Sequence, residues 1–322
     1  MKKCMLGACA AILACCGLVQ ASPFDPSVVS ADAEWLIHVD ADAARQSQVV
    51  QKVYDKWQSH ETVRKNLDRF RDETGIDISK NLHAATFYGD TFGKPNGIMV
   101  AKTDADRQKI VAELQKKPDF KTFKHGDYTI YTWTPKHDEQ DKGPHSMALS
   151  FIQSGLVMAR LPERLNKALD VLAGDEDSLP KDSALAADVD PGTYFVLRGT
   201  GLDKADLPEQ LPILRHTQYG SLMSGEKDGV AFSRGKLITD SNEIAQEVQK
   251  TLEGFRALGE LRFGEGKEEP KVLQALKISV DGKTVSTDWR VPTSDAMQAI
   301  DKIRERVAAR QQTNQQEKTL QR

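Results

Sequence analysis

Glu34-Trp35-Leu36-Ile37-His38-Val39-Asp40 and Thr193-Tyr194-Phe195-Val196-Leu197-Arg198 are the two stretches whose reading decides the fold. Each is a short run of aromatic, aliphatic and β-branched residues after a loop that ends in a small or turn residue, which is the signature of a strand. From these two points the chain repeats one order of elements. In the first half, strands at 84–88 and 97–102 lead to a helix over 104–115, where Ile110, Val111 and Leu114 keep helical spacing behind the capping pair Thr103-Asp104. In the second half, strands at 221–227 and 230–237 lead through Thr239-Asp240 to a helix carrying Ile244, Val248, Leu252 and Phe255.

Further strands follow at 128–132, 147–152 and 156–159 in the first half, and at 276–280 and 284–289 in the second. Each half then closes on the same punctuation. Arg160-Leu161-Pro162 precedes a helix containing Lys167-Ala168-Leu169-Asp170, and Arg290-Val291-Pro292 precedes one containing Gln298-Ala299-Ile300-Asp301. Proline suits a helix start because its missing N–H would be unpaired there anyway. The predicted fold class is α+β: two related units, each an antiparallel sheet with helices packed on one face, produced by internal duplication. The units are expected at 22–175 and 188–310, joined through the turn-rich, charged stretch 173–191. The first unit has an additional helical region at 48–71, and 311–322 reads as a polar, disordered tail.

All four cysteines, Cys4, Cys9, Cys15 and Cys16, fall before these units. They lie in a segment that opens Met1-Lys2-Lys3, continues through a small and apolar run to Val19, and meets Gln20-Ala21-Ser22-Pro23. A positive n-region, a short h-region and a Val19-x-Ala21 pattern predict a signal peptide, residues 1–21, cleaved after Ala21. The alternative is a lipid anchor at Cys15 or Cys16, because Ile12-Leu13-Ala14-Cys15 and Leu13-Ala14-Cys15-Cys16 each approach a bacterial lipoprotein signal with one poor position. Cleavage after Ala21 leaves a mature chain without a thiol, which removes thiol nucleophiles, thiolate metal sites and disulfides from its chemistry. No transmembrane span is expected in that chain.

At 28% charged and 39% hydrophobic residues the composition is that of a globular protein. The formal charge is −3, and loss of Lys2 and Lys3 makes it more negative by two. Nucleic-acid binding rests on concentrated Lys and Arg, so no nucleic-acid partner is expected.

The most enzyme-like spacing is His38-Val39-Asp40-Ala41-Asp42 at the end of the first strand. In an extended chain His38, Asp40 and Asp42 would face one side and could ligate a divalent cation, although Asp40 and Asp42 serve equally well as caps of the following turn or helix. His137-Asp138-Glu139-Gln140-Asp141-Lys142-Gly143-Pro144-His145 reads as a solvated hairpin loop and Asp175-Glu176-Asp177 as an exposed linker. No Gly-x-Ser-x-Gly elbow, Ser-x-x-Lys, His-Glu-x-x-His or phosphate-binding loop occurs. No catalytic residue and no cofactor are assigned. Trp35, Trp133 and Trp289, in predicted strands, and Trp57, in the additional helix, read as packing residues.

Ala33-Glu34-Trp35-Leu36-Ile37-His38-Val39-Asp40, Leu82-His83-Ala84-Ala85-Thr86-Phe87-Tyr88-Gly89 and Ala184-Leu185-Ala186-Ala187-Asp188-Val189 together carry a resemblance. The chain resembles a family of exported bacterial proteins of unknown function over most of its mature length. The resemblance implies export and brings no catalytic residues with it. The expected function is therefore that of an exported, non-enzymatic envelope or periplasmic protein, periplasmic or extracellular and free or membrane-tethered, which binds an envelope protein or a small ligand or has a structural role. Two alternatives are a metal-dependent or thiol-independent hydrolase, and a carrier of apolar ligands in the envelope.

Overall fold

The strands expected at 34–40 and 193–198 form, and they pair with each other. A computed structural model describes residues 22–58, 61–74, 76–92, 96–135, 146–205, 215–263, 270–302 and 305. In it β1 (Trp35–Asp40) runs antiparallel to β8 (Thr193–Thr200), with Leu36 opposite Arg198 and His38 opposite Val196. The two halves of the chain are thereby fused edge to edge.

The remaining strands are β2 (Leu82–Gly89), β3 (Ile98–Thr103), β4 (Lys121–His125), β5 (Tyr128–Trp133), β6 (Met147–Ile152) and β7 (Gly155–Ala159) in the first half. The second half adds β9 (Thr217–Lys227), β10 (Val230–Thr239), β11 (Leu276–Asp281) and β12 (Thr284–Pro292). All join one 12-stranded sheet in the order β11-β12-β10-β9-β8-β1-β2-β3-β7-β6-β5-β4. Read outward from the β1–β8 seam, the order is β1-β2-β3-β7-β6 on one side, continued by β5-β4, and β8-β9-β10-β12-β11 on the other, where the sheet ends. A helix follows the third strand on both sides: α5 (Arg107–Leu114) after β3 and α7 (Asn242–Phe263) after β10. The fold is α+β with a large antiparallel sheet.

Helices cover both faces of the first half, not one. Neighbouring residues of a strand point to opposite faces. Val100 of β3 and Val157 of β7 pack with Leu165, Ala168 and Leu169 of α6 (Pro162–Ala173), whereas Ala101 and Leu156 pack with Ile110 and Leu114 of α5. The physical reason is visible in β7, Gly155-Leu156-Val157-Met158-Ala159, which is buried at every position. An apolar run without alternation needs cover on both sides.

Local signals place the helix ends. Asp106, rather than the expected Thr103-Asp104 pair, caps α5 by accepting from the N–H groups of Gln108 and Lys109 at 2.9 and 3.3 Å. Thr103 instead donates its hydroxyl to the carbonyl of Asn81 at 2.7 Å. Pro162 opens α6, and Gly174, with φ +85°, ends it in the left-handed conformation that glycine tolerates. The helical region predicted at 48–71 is two helices, α2 (Gln48–Gln58) and α3 (Glu61–Thr74), after a short α1 (Ala41–Gln46) and before a single-turn α4 (Ile78–Asn81). Val49 of α2 packs with Ala231, Val291 and Ala296 of the second half, so this insertion of the first half covers the other one. The first turns of α7 bury Ala245 and Val248, while Phe255, Leu258 and Leu261 further along are exposed.

Residues 173–191 are more than a connection. Asp175, Glu176 and Asp177 are exposed, but Leu179 and Leu185 are buried in the same core as α6 and β1. Ser178 bridges to Ser30, and the N–H of Leu179 donates to the carbonyl of Val29 at 2.8 Å. Strand β4 has no counterpart among the predicted elements. Its side chains are largely exposed, so it carries no core-facing pattern to read. Trp133 is buried, and Trp35 and Trp289 are half-buried with their indole N–H groups on the carbonyls of Thr91 and Val272. The side chain of Trp57, the 137–145 cluster, the four cysteines and the tail lie outside the described residues.

Candidate functional site

The most concentrated polar chemistry lies under the seam. Alternation along β1 sends Leu36, His38 and Asp40 to one face, all buried, and the pairing with β8 brings Val196 and Arg198 to the same face. His38 is 4%, Asp40 1% and Arg198 1% exposed, a degree of burial that charged and polar side chains tolerate only when their hydrogen bonds are met. Across them runs the segment that begins at Ser22. The Phe24 ring sits between the two long side chains, 5.6 Å from the His38 ring and 5.7 Å from the Arg198 guanidinium carbon.

Each polar group has its partners. The Arg198 guanidinium donates to the carbonyls of Leu185, Ala187 and Asp188 at 2.8, 2.6 and 3.1 Å, and so collects the chain between the halves. His38 Nε2 lies 3.1 Å from the Ser22 carbonyl, and Nδ1 lies 2.9 Å from the Thr86 hydroxyl. A carbonyl only accepts, so Nε2 carries the proton and Nδ1 accepts from Thr86. Burial pushes the His38 pKa below its ordinary value and Arg198 adds to the effect, against the Ser22 carbonyl and Asp40, which raise it. The imidazole is neutral, with both nitrogens engaged. Asp40 accepts from the Ala43 N–H at 2.9 Å, as the N-cap of α1, and from the Ser22 N–H at 2.8 Å.

Of the three expected cation ligands, Asp42 stands apart. The extended chain ends at Asp40, so Asp42 falls inside α1, where it pairs with Arg45 and lies 3.1 Å from His83 Nδ1. The alternation that would align it with His38 and Asp40 stops one residue too early. Among the described residues no group of three or more His, Cys, Asp or Glu side chains is gathered as it would be around a metal ion. Sequence reading missed Ser22, Phe24, Thr86 and Arg198. Arg198 alone left a signal, since it shares the inward parity of Val196 in its strand.

A second feature is an open groove of about 500 Å³ between α5 and the β5–β6 hairpin, lined by Arg107, Val111, Tyr128, Tyr131 and Phe151. Its wall is an aromatic ladder. Phe120 stacks on Tyr131 at 6.3 Å, Tyr131 meets Phe151 edge-on at 5.8 Å, and the Arg107 guanidinium lies over Phe151 at 5.5 Å. Arg107 is held there by the carbonyls of Ile152 and Gln153. Its volume is that of a small-molecule site, with aromatic area and a fixed cation.

No protein-family model matches the chain, and no curated protein matches it. Solved structures that are similar include crystal forms III, I and IV of TP0453, at 12%, 13% and 10% identity and TM-scores of 0.46, 0.42 and 0.43. Each alignment covers 87% of this chain, and 98%, 97% and 97% of the respective TP0453 chains.

Proposed function

We propose that this is an exported envelope or periplasmic protein that binds a partner or small ligand, assembled by duplication of one unit. The observation that carries the binding role is the aromatic groove beside α5, an open groove of about 500 Å³ lined by Tyr128, Tyr131 and Phe151 with the Arg107 guanidinium positioned at its wall. The polar side chains that an enzyme reading would enlist, His38 and Asp40, are instead committed to the Ser22 segment and the α1 cap. Duplication is supported by the matching strand order on the two sides of the seam. The seam register turns His38 of β1 and Arg198 of β8 to the same buried face.

Export is supported by the basic start, the apolar run and Val19-x-Ala21, and by the burial of Ser22, the residue that follows the expected cleavage point. Among the described residues no helix is long and apolar enough to cross a membrane. The test is native mass spectrometry of the protein from the envelope fraction of its own cell. A chain starting at Ser22 that carries a small-molecule adduct, lost when Tyr131 and Phe151 are both replaced by alanine, is the expected result. An unprocessed mass refutes export, and a diacylglyceryl mass at Cys15 or Cys16 makes the protein a lipid-tethered one. An adduct indifferent to the two substitutions moves the ligand out of the groove.

A further inference from the structure

Asp40 is a carboxylate at 1% exposure whose two acceptor oxygens meet only backbone N–H groups. Among the described residues no Lys, Arg or His nitrogen lies within 4.0 Å of it as an ion-pair partner. Taking an isolated carboxylate out of water costs several kcal/mol, and peptide N–H groups offset part of this without supplying a charge. One of the two donors is the backbone nitrogen of Ser22, at 2.8 Å. In the precursor that nitrogen belongs to a neutral peptide bond. In a chain cut after Ala21 it is an α-ammonium.

We infer that Asp40 is the receptor for the mature N-terminus, and that removal of the leader completes a buried ion pair which locks the first residues over the β1–β8 seam. The inference rests on the export reading above and names what processing does to the fold. The surroundings are built for a chain end. The Ser22 carbonyl accepts from His38 Nε2, its hydroxyl accepts from Lys102 Nζ at 3.1 Å, and Phe24 two residues on fills the gap between His38 and Arg198. Ser22 itself is 6% exposed. The groups facing the ammonium are thus Asp40 and His38 of β1 and Lys102 of β3, with Arg198 of β8 beyond the Phe24 ring. Asp40 is the only anion among them, so the new positive charge has one place to go. Conversion of a neutral contact into a charge-assisted one strengthens it and lowers the population of any state in which the segment lifts away.

The experiment uses the protein purified from its envelope fraction, with its first residue read by intact mass. An amine-selective acylating reagent at neutral pH, where α-amines react ahead of lysines, is applied to the folded protein and to the same protein in urea. The Ser22 α-amine should acylate roughly tenfold or more slowly in the folded state, as a group that reacts only through local opening does. In Asp40→Asn this protection should be lost while the backbone amides of the core strands keep their hydrogen-exchange protection. Equal rates in folded and unfolded protein that starts at Ser22 overturn the pairing and leave export standing. A chain that starts anywhere else refutes the cleavage on which the inference rests. Where Asp40→Asn fails to fold, the comparison of folded and unfolded wild type decides alone.

Discussion

Arg198 shows how one side chain holds two halves together. Its guanidinium satisfies three carbonyls of the chain that joins them, at the position in β8 opposite Leu36. Arg198→Leu keeps the volume roughly and strips the donors, leaving acceptors at 185, 187 and 188 without partners. An unsatisfied buried acceptor costs about 1–3 kcal/mol, so the variant should lose about 3 kcal/mol, read as a lower urea midpoint with an unchanged denaturant slope. His38 makes the fold sensitive to acid. Its pKa is lowered in the folded state, so above the unfolded value of about 6.5 its contribution is complete. As pH falls below that value the unfolded chain takes up a proton that the folded chain refuses, and stability declines until the folded pKa is passed. Urea midpoints measured between pH 8 and pH 5 should fall more steeply for wild type than for His38→Gln. Parallel slopes would remove His38 from the acid response.

Strand β7 bears on the element scale, because it must lie close to β3 and carry cover on both faces. A Cβ at Gly155 would meet the Ala101 carbonyl oxygen at 1.9 Å and the Lys102 Cα at 3.0 Å, both backbone atoms that cannot swing aside. Gly155→Ala should therefore force the β3–β7 ladder apart and cost about 2–3 kcal/mol, the range for overpacking a tight site. Thermal unfolding checks this, and a midpoint within one degree of wild type would show that the ladder yields. The sheet's two edges carry their own protection. β4 offers Lys121 and Lys124 at exposed positions, and β11 alternates the exposed Lys277, Ser279 and Asp281 with Leu276, Ile278 and Val280. Charges on an edge discourage pairing with a second sheet.

At the scale of the molecule, the seam makes the two halves of the chain interdependent. The core around β1 draws Leu179, Leu185 and Val196 from beyond residue 175, and β1 uses both edges of its backbone, on β2 and on β8. A chain limited to 22–175 would expose that edge and lose three buried apolar side chains. It should give no cooperative urea transition, whereas a chain continued to residue 204 should restore one. Cooperative folding of 22–175 would show that the seam is a contact between finished units. The predicted strands at 34–40, 84–88, 97–102, 193–198 and 230–237, and the helices behind Pro162 and around Ile110 and Val248, were legible because alternation, helical spacing and capping act over a few residues. β4 escaped because an exposed edge strand has no inward face to write into the sequence. By itself, then, the sequence determined the kind and order of the core-facing elements and the matching punctuation of the two halves. Only the tertiary structure decided that β1 and β8 fuse two sheets into one, that α5 and α6 take opposite faces, and that Ser22, His38, Asp40 and Arg198 meet under the seam. Those outcomes depend on which strand edge finds which partner and in what register, contacts between residues as far apart as 36 and 198, and no local pattern encodes such a pairing.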